Sequence, residues 1–398
     1  MLAIDVSATS STTANTGVQR VCRALTQSLA SIANSQPVCF DPDHDYWRFP
    51  NAHEQSCLIQ NTNIRPSARR GSRKKKISSK LNTLLPSKSI KSKSHGYSGL
   101  IEPEIFSQTT FGGLTELFQF LNGPSLAVFY DATPLKLPEL SPGKSASRFP
   151  AYLNELLRFD GIAAISDASM QEIINYWKWL GVKNTPKVVS IPLGVDMAHR
   201  PEEPNARGSI QTAPMVLCVG SIEGRKNQVS LLSAAEKLWS SGMEFHVKLV
   251  GLESPETSGP ALDLLNQCKI KGRSVEWLGP QSEDDLRTHY ENCSFTVYPS
   301  IAEGFGLPVL ESLKHGKPCV CSSQGAIGEI SNKGGCLTVE KPTPETLAQA
   351  METLLTDSEQ HSTLCNEARN RTFRTWSDYA SDILEFHKSL NKSYEKAC

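Results

Sequence analysis

The sequence predicts an α/β protein built as two doubly wound, parallel-sheet domains, and three observations carry that prediction. The second half alternates strand-like and helix-like segments in regular order from Met215 to Val339, the pattern of a parallel sheet with crossover helices. The first half opens the same way, with the strand-like Leu2-Ala3-Ile4-Asp5-Val6, a Ser/Thr-rich loop and a helix starting at Gly17. At 398 residues the chain is also too long for one typical core, so two domains of roughly 150 to 200 residues are expected.

Composition narrows the class. The formal net charge of +0 gives no global sign of a nucleic-acid partner. The 11 cysteines lack CxxC pairs and zinc-type spacing, and Cys218, Cys319 and Cys321 fall inside apolar, strand-like runs. That is the usage of a reducing compartment, where cysteine serves as a small buried apolar residue. The chain opens directly on a strand, and no run approaches the 18 or so apolar residues of a membrane span, so a cytoplasmic protein without a signal peptide is expected.

In chain order, Val18, Val21, Cys22, Leu25, Leu29 and Ile32 share one face of the first helix. Strand, glycine-bearing loop and helix start can together cradle an anion, although Gly17 is equally a simple turn residue. From Arg65 to Lys93 arginines and lysines occur with no acid. Such a run is either a solvated segment or a contact for an anionic membrane surface, at about 1 kcal/mol per basic residue. Nucleic-acid binding would want interleaved aromatics, and only Tyr97 is close.

The strand at 126–131 ends on Tyr130 and Asp131, where the aspartate either faces a cleft or caps the next turn. A helix over 148–159, a strand over 161–166, a capping loop from Ser166 to Ser169 and a helix over 170–180 follow. A strand at 188–191 completes a first domain, 1–195, with a basic insert at 65–95; a Pro/Glu-rich linker at 200–205 follows it. The second domain, 206–375, carries the alternating strands and helices, with Gly328-Glu329 as a turn into a short helix. A terminal segment, 376–398, read as a closing helix over Trp376 to Leu390, ends the pattern.

Two loops of the second domain carry chemistry. After the strand-like Phe295-Thr296-Val297-Tyr298-Pro299 comes Glu303-Gly304-Phe305-Gly306-Leu307-Pro308-Val309-Leu310-Glu311, two carboxylates on either side of a Gly-rich turn that opens a helix. In a parallel α/β unit, ligands lie at the carboxyl ends of the strands, and glycines let backbone N–H groups approach them. A loop carboxylate and a helix carboxylate so placed can accept hydrogen bonds from paired hydroxyls while free N–H groups face a phosphate. Taken alone, Glu303 is equally a loop acid and Glu311 a solvated helix position. The second loop, Ser221-Ile222-Glu223-Gly224-Arg225-Lys226-Asn227, sets two adjacent cations above a helix start, suited to a diphosphate leaving group.

The segment from Glu303 to Glu311 resembles the E-x7-E motif of retaining glycosyltransferase family 4, and the likeness extends to Tyr298-Pro299-Ser300 and to Gly316-Lys317-Pro318. The resemblance implies the GT-B fold, two Rossmann-like domains facing each other across a cleft. Thr16-Gly17-Val18-Gln19-Arg20-Val21 is similar to a segment of bacterial mannosyl- and rhamnosyl-type members, where it faces the donor diphosphate; this makes Gly17, with Gln19 or Arg20, a candidate. Many relatives have His-Asp where this chain has Tyr130-Asp131, which leaves Asp131 as the candidate. Pro192-Leu193-Gly194-Val195-Asp196 resembles the family's interdomain segment, with Leu193 in place of asparagine. Ser221 stands where many members carry arginine, so Arg225 and Lys226 must supply most of the positive charge.

The resemblance implies a retaining, metal-independent hexosyltransferase using a nucleotide-diphosphate sugar, with GDP-mannose favoured and a glycan or lipid-linked glycan as acceptor. No metal or resident cofactor is expected, nor an Asp-x-Asp signature of the metal-dependent transferases. In this reading Arg225 and Lys226 hold the diphosphate, Glu303 the donor sugar and Glu311 the ribose. The backbone of Gly304, Phe305, Gly306 and Leu307 cradles phosphate. The terminal helix returns to the first domain. The alternatives are a nucleotide-sugar epimerase or phosphorylase of the same fold, or a non-catalytic scaffold that binds anionic lipid through 65–93.

Overall fold

The computed structural model describes residues 1–59, 89–90, 96–106, 108–195 and 213–390. Almost all of the basic run at 65–93, together with Asp196 and the linker at 200–205, lies outside the described residues. Seven strands form the first sheet: β1 (Leu2–Asp5), β2 (Ser35–Asp41), β3 (Tyr46–Arg48), β4 (Gly99–Glu102), β5 (Ser125–Phe129), β6 (Gly161–Ala164) and β7 (Lys187–Ser190). They lie in the order β3-β2-β1-β4-β5-β6-β7, parallel except for the β2–β3 hairpin. Six strands form the second sheet: β8 (Met215–Val219), β9 (His246–Val250), β10 (Val275–Trp277), β11 (Phe295–Tyr298), β12 (Cys319–Ser322) and β13 (Cys336–Val339). Their order is β10-β9-β8-β11-β12-β13, all parallel.

The central strands form where the sequence is mostly apolar because helices cover both faces of a parallel sheet, whereas the edge strands β3, β7 and β10 carry charged residues. Every residue of β5 and of β11 is buried. The order reverses between β1 and β4 in the first sheet and between β8 and β11 in the second. Ligands enter doubly wound sheets at these switch points, above the carboxyl ends of the strands. The loops after β8 and β11 are the two that carry the candidate cations and Glu303.

Helices follow their apolar stripes. In the Gly17–Ile32 helix Val21, Cys22, Leu25 and Leu29 are buried, and Thr16 with Gln19 forms a capping box at its start. The terminal Trp376–Ser389 helix, capped by Thr375 and Asp378, buries Tyr379, Ile383 and Phe386 and packs along the Gly17–Ile32 helix. Gly161 gives it room, since a Cβ there would stand 2.5 Å from Leu390 Cδ1.

Two expectations shift. Gly328-Glu329 is not a turn; both residues lie inside the Gly325–Ser331 helix, whose sharp turn falls earlier, at Gly325 with φ 58°. The helix expected over 148–159 runs Gly143–Glu155, and its first amide, Gly143 N, donates to Glu256 Oε2 at 2.8 Å. That partner lies 113 residues away, and the N-cap Pro142 makes no side-chain cap, so the start carries no local capping signal.

Candidate functional site

Backbone geometry brings the loops after β8 and β11 together. Gly220 ends β8 with φ 152°, and Gly251 packs on it so closely that a Cβ would meet Gly220 O at 2.0 Å. A 3₁₀ turn, Gly224–Lys226, then leads to Asn227 in the left-handed region, φ 56°. Asn227 Nδ2 donates to Pro299 O at 3.2 Å and Pro342 O at 2.8 Å, and Ile301 N donates to Arg225 O at 2.8 Å. Both loops are thereby fixed side by side.

Glu303 is the centre of what they hold. Its Oε1 accepts from Lys226 Nζ at 2.6 Å and from Ser300 Oγ, and its Oε2 from Arg225 NH1 at 3.0 Å. Lys226 Nζ also donates to Tyr298 OH at 2.8 Å, and Arg225 NH2 lies 3.0 Å from Glu223 Oε1. The side chains of Lys226 and Glu303 are 11% and 9% exposed, so their attraction is poorly screened. Burial pushes the Glu303 carboxyl up, but Arg225, Lys226 and Ser300 more than offset it and hold it at about 2. Burial raises the Tyr298 phenol further, with the Glu303 charge adding to it.

Glu311 sits in the second turn of the Leu307–Lys314 helix and is buried, not a solvated position. Its Oε2 accepts from Tyr290 OH at 2.9 Å and its Oε1 pairs with Arg20, from the opposite sheet's first helix. Burial opposes ionisation of Glu311, yet Arg20 and then Tyr290 lower its pKa. Gly306 caps the helix with φ 122°, and Pro308 lies in its first turn, where a missing donor costs nothing. Among the described residues the N–H groups of Phe305, Gly306 and Leu307 have no protein acceptor, as at an open helix start. The side chains of Phe305 and Leu307 are buried in the core, so only their backbone faces the turn.

From the first sheet, Asp131 follows β5 and accepts from Thr133 N at 2.9 Å, while its charge also acts on Arg225. Gly304 lies against this strand end; a Cβ there would stand 2.3 Å from Tyr130 O. Tyr130 itself points into the core and donates to Pro103 O at 2.6 Å, so its ring does not take a place in the cleft. Gly17 is exposed with open space around it, and Gln19 serves the helix cap; Arg20 is the member of that segment that reaches Glu311.

Sequence reasoning missed Tyr290 and a cluster at the first switch point. There Asp5, Glu102 and Glu104 are buried beneath the loop that leads to Gly17. Glu104 accepts from Ala8 N and Thr9 N, both at 2.6 Å, and Asp5 from Ser7 N at 2.9 Å. Burial pushes Glu104 up to about 7 and Glu102 well above its ordinary value. The Asp41–Asp45 run has Asp-x-Asp spacing but forms the β2–β3 turn, where Asp41 pairs with Arg48. Among the described residues no group of three or more His, Cys, Asp or Glu side chains could hold a metal ion.

Comparison with known proteins bears on family and fold. Residues 199–371 match the family described as glycosyl transferases group 1. Residues in the C-terminal half are thus similar to group 1 glycosyltransferase domains. The chain is 25% identical over 270 residues to the serotype-specific mannosyltransferase WbdA of Escherichia coli, a match covering 65% of this chain and 33% of WbdA. The chain thus spans about a third of that relative's length. It is 26% identical to O-antigen chain mannosyltransferase B of Escherichia coli, over 67% of this chain and 70% of that one.

Among solved structures, Anabaena HepE in complex with UDP and glucose superposes with a TM-score of 0.68 at 16% identity, covering 98% of this chain and 99% of HepE. Sucrose-phosphate synthase of Thermosynechococcus elongatus gives 0.68 at 18%, covering 97% and 98%. The matched region and these neighbours establish the fold as GT-B. No helix among the described residues is long and apolar enough to cross a membrane.

Proposed function

We propose that this protein is a retaining, metal-independent hexosyltransferase of family 4. It would transfer a hexose, with mannose favoured, from a nucleotide-diphosphate sugar to a hydroxyl of a glycan or lipid-linked glycan. One observation carries the reading: the half-buried Lys226–Glu303–Arg225 cluster stands at a switch point beside the three open N–H groups of Phe305, Gly306 and Leu307. Diphosphate charge is met there by two fixed cations and a helix start, in a place where each interaction counts for more than in water.

The roles follow from position. Lys226 and Arg225 stabilise the departing diphosphate, and Glu303, kept ionised by them, accepts hydrogen bonds from donor-sugar hydroxyls. Glu311 takes the ribose hydroxyls, with Arg20 exchanging its partner as the nucleotide enters. Asp131 is the acceptor-side carboxylate beside the reacting centre. Closure of the cleft excludes water and orients the acceptor.

The two relatives named as mannosyltransferases support mannose as the sugar, the O-antigen chain relative supports a place in polysaccharide synthesis, and GDP-mannose is the donor proposed. Contact with the inner face of an anionic membrane through 65–93 belongs to the same proposal. The test is a panel of GDP- and UDP-sugars measured for binding by calorimetry, followed by NMR of the product's anomeric configuration. Binding of GDP-mannose with a retained anomer is expected. An inverted anomer overturns the retaining assignment, and absence of binding by every nucleotide sugar overturns the function.

A further inference from the structure

We propose that Glu329 is a positioning residue that selects the closed arrangement of the two domains by capping a helix of the opposite domain across the cleft. Its Oε2 accepts from Asp167 N at 3.0 Å and its Oε1 from Ala168 N at 2.7 Å. Those are the first two amides of the Asp167–Trp179 helix. The helix's own cap, Ser166 Oγ, accepts from Ser169 N at 3.0 Å and leaves both of them to an outside partner. A carboxylate is suited to the place because each oxygen takes one N–H and the charge faces the positive end of the helix dipole.

The same helix start touches the donor loop. Ser169 Oγ lies 2.6 Å from Tyr130 O and 3.2 Å from Gly304 O, so one hydroxyl joins the end of β5 to the residue after Glu303. Gly304 packs on Tyr130 O with no room for a side chain. Glu329 therefore fastens the seam that sets Asp131 beside the Glu303 loop. On another first-domain helix, Glu256 of the second domain makes the equivalent bond to Gly143 N.

The contact exists only when the domains are in register, so its free energy biases closed over open. In the open state both partners are hydrated. Charge-assisted hydrogen bonds of this kind shift such a population by about tenfold or more. The kinetic part of this inference rests on the glycosyl-transfer reading; the conformational part does not.

The experiment uses the full chain with Glu329→Gln, Asp167→Pro and the double variant. Glutamine keeps the shape but turns an NH2 group toward one of the two amides. Proline removes the Asp167 N–H at a first helical position, where it is well accommodated after the extended Ser166 (φ −157°, ψ 163°). Two independent variants from opposite sides of the seam keep the test valid if one folds poorly.

Small-angle scattering with and without GDP reports the radius of gyration, and steady-state kinetics separate kcat from donor KM. Each single variant is expected to be more extended and to lose about tenfold in kcat, with nucleotide affinity and thermal midpoint unchanged. The double variant is expected to lose less than the product of the two single losses, since both act on the same pair of hydrogen bonds. Wild-type dimensions in both singles, or kinetic losses that multiply in the double, overturn the proposal. If the wild type transfers no sugar, the functional reading falls and the scattering comparison still decides the role of Glu329.

Discussion

Replacing Glu303 with glutamine tests the centre of the site through its stability as well as its activity. In the folded protein the carboxyl titrates at about 2, against an ordinary value of 4.5. A depressed acid contributes stability that is fully present above pH 4.5 and lost as pH falls from 4.5 to 2. Two to three units at 1.36 kcal/mol each give about 3 kcal/mol at neutral pH. Glutamine is close to an isostere of the protonated acid and leaves Lys226 and Arg225 without their counter-charge, a loss that runs to about 3 kcal/mol or more for buried pairs. The variant should therefore be about 3 kcal/mol less stable than wild type at pH 7, with the gap closing toward zero near pH 2. Urea unfolding followed by the fluorescence of the protein's 6 tryptophans at pH 7, 5, 4 and 3 measures it. Parallel stability curves for the two proteins over that range would refute the half-buried ion cluster. Transfer by the variant at a rate near wild type would refute the role of the carboxylate.

The other expectations are direct. Lys226→Ala should lower turnover by about 10² to 10³, the cost of one preorganised charge, in a protein that still folds because Arg225 remains 3.0 Å from Glu303; steady-state transfer assays check it. Gly304→Ala puts a Cβ 2.3 Å from Tyr130 O, so transfer should fail while GDP binding to the second domain, measured by calorimetry, persists. Transfer rates with and without EDTA should agree if the mechanism uses no metal; strict dependence on added divalent cation would refute it.

Much of this site can be read in the chain because its parts are local. Ser300 and Glu303 are three residues apart, the glycine-proline pattern after Glu303 marks a helix start, and Arg225-Lys226 follows a strand directly. What those groups do to one another is not local. Lys226 meets Glu303 across 77 residues because β8 and β11 are neighbours in the sheet, and Arg20 meets Glu311 across 291. Helical position made Glu311 ambiguous; the Tyr290 and Arg20 contacts bury it. Tyr130 has the sequence position of a cleft residue, yet its hydroxyl is drawn to a carbonyl in the core.

By itself, then, the sequence determined the parallel α/β architecture, the two site loops and the acids and cations they carry. Hydrophobic runs, glycine placement and capping act over a few residues, and so they are legible in order along the chain. Tertiary structure alone decided which charges pair, which carboxyl stays ionised at about 2, and that Glu329, central in a short helix, reaches the amides of another domain. Those outcomes depend on burial and on distances between elements remote in sequence, where a charge gains or loses most by what the fold sets beside it.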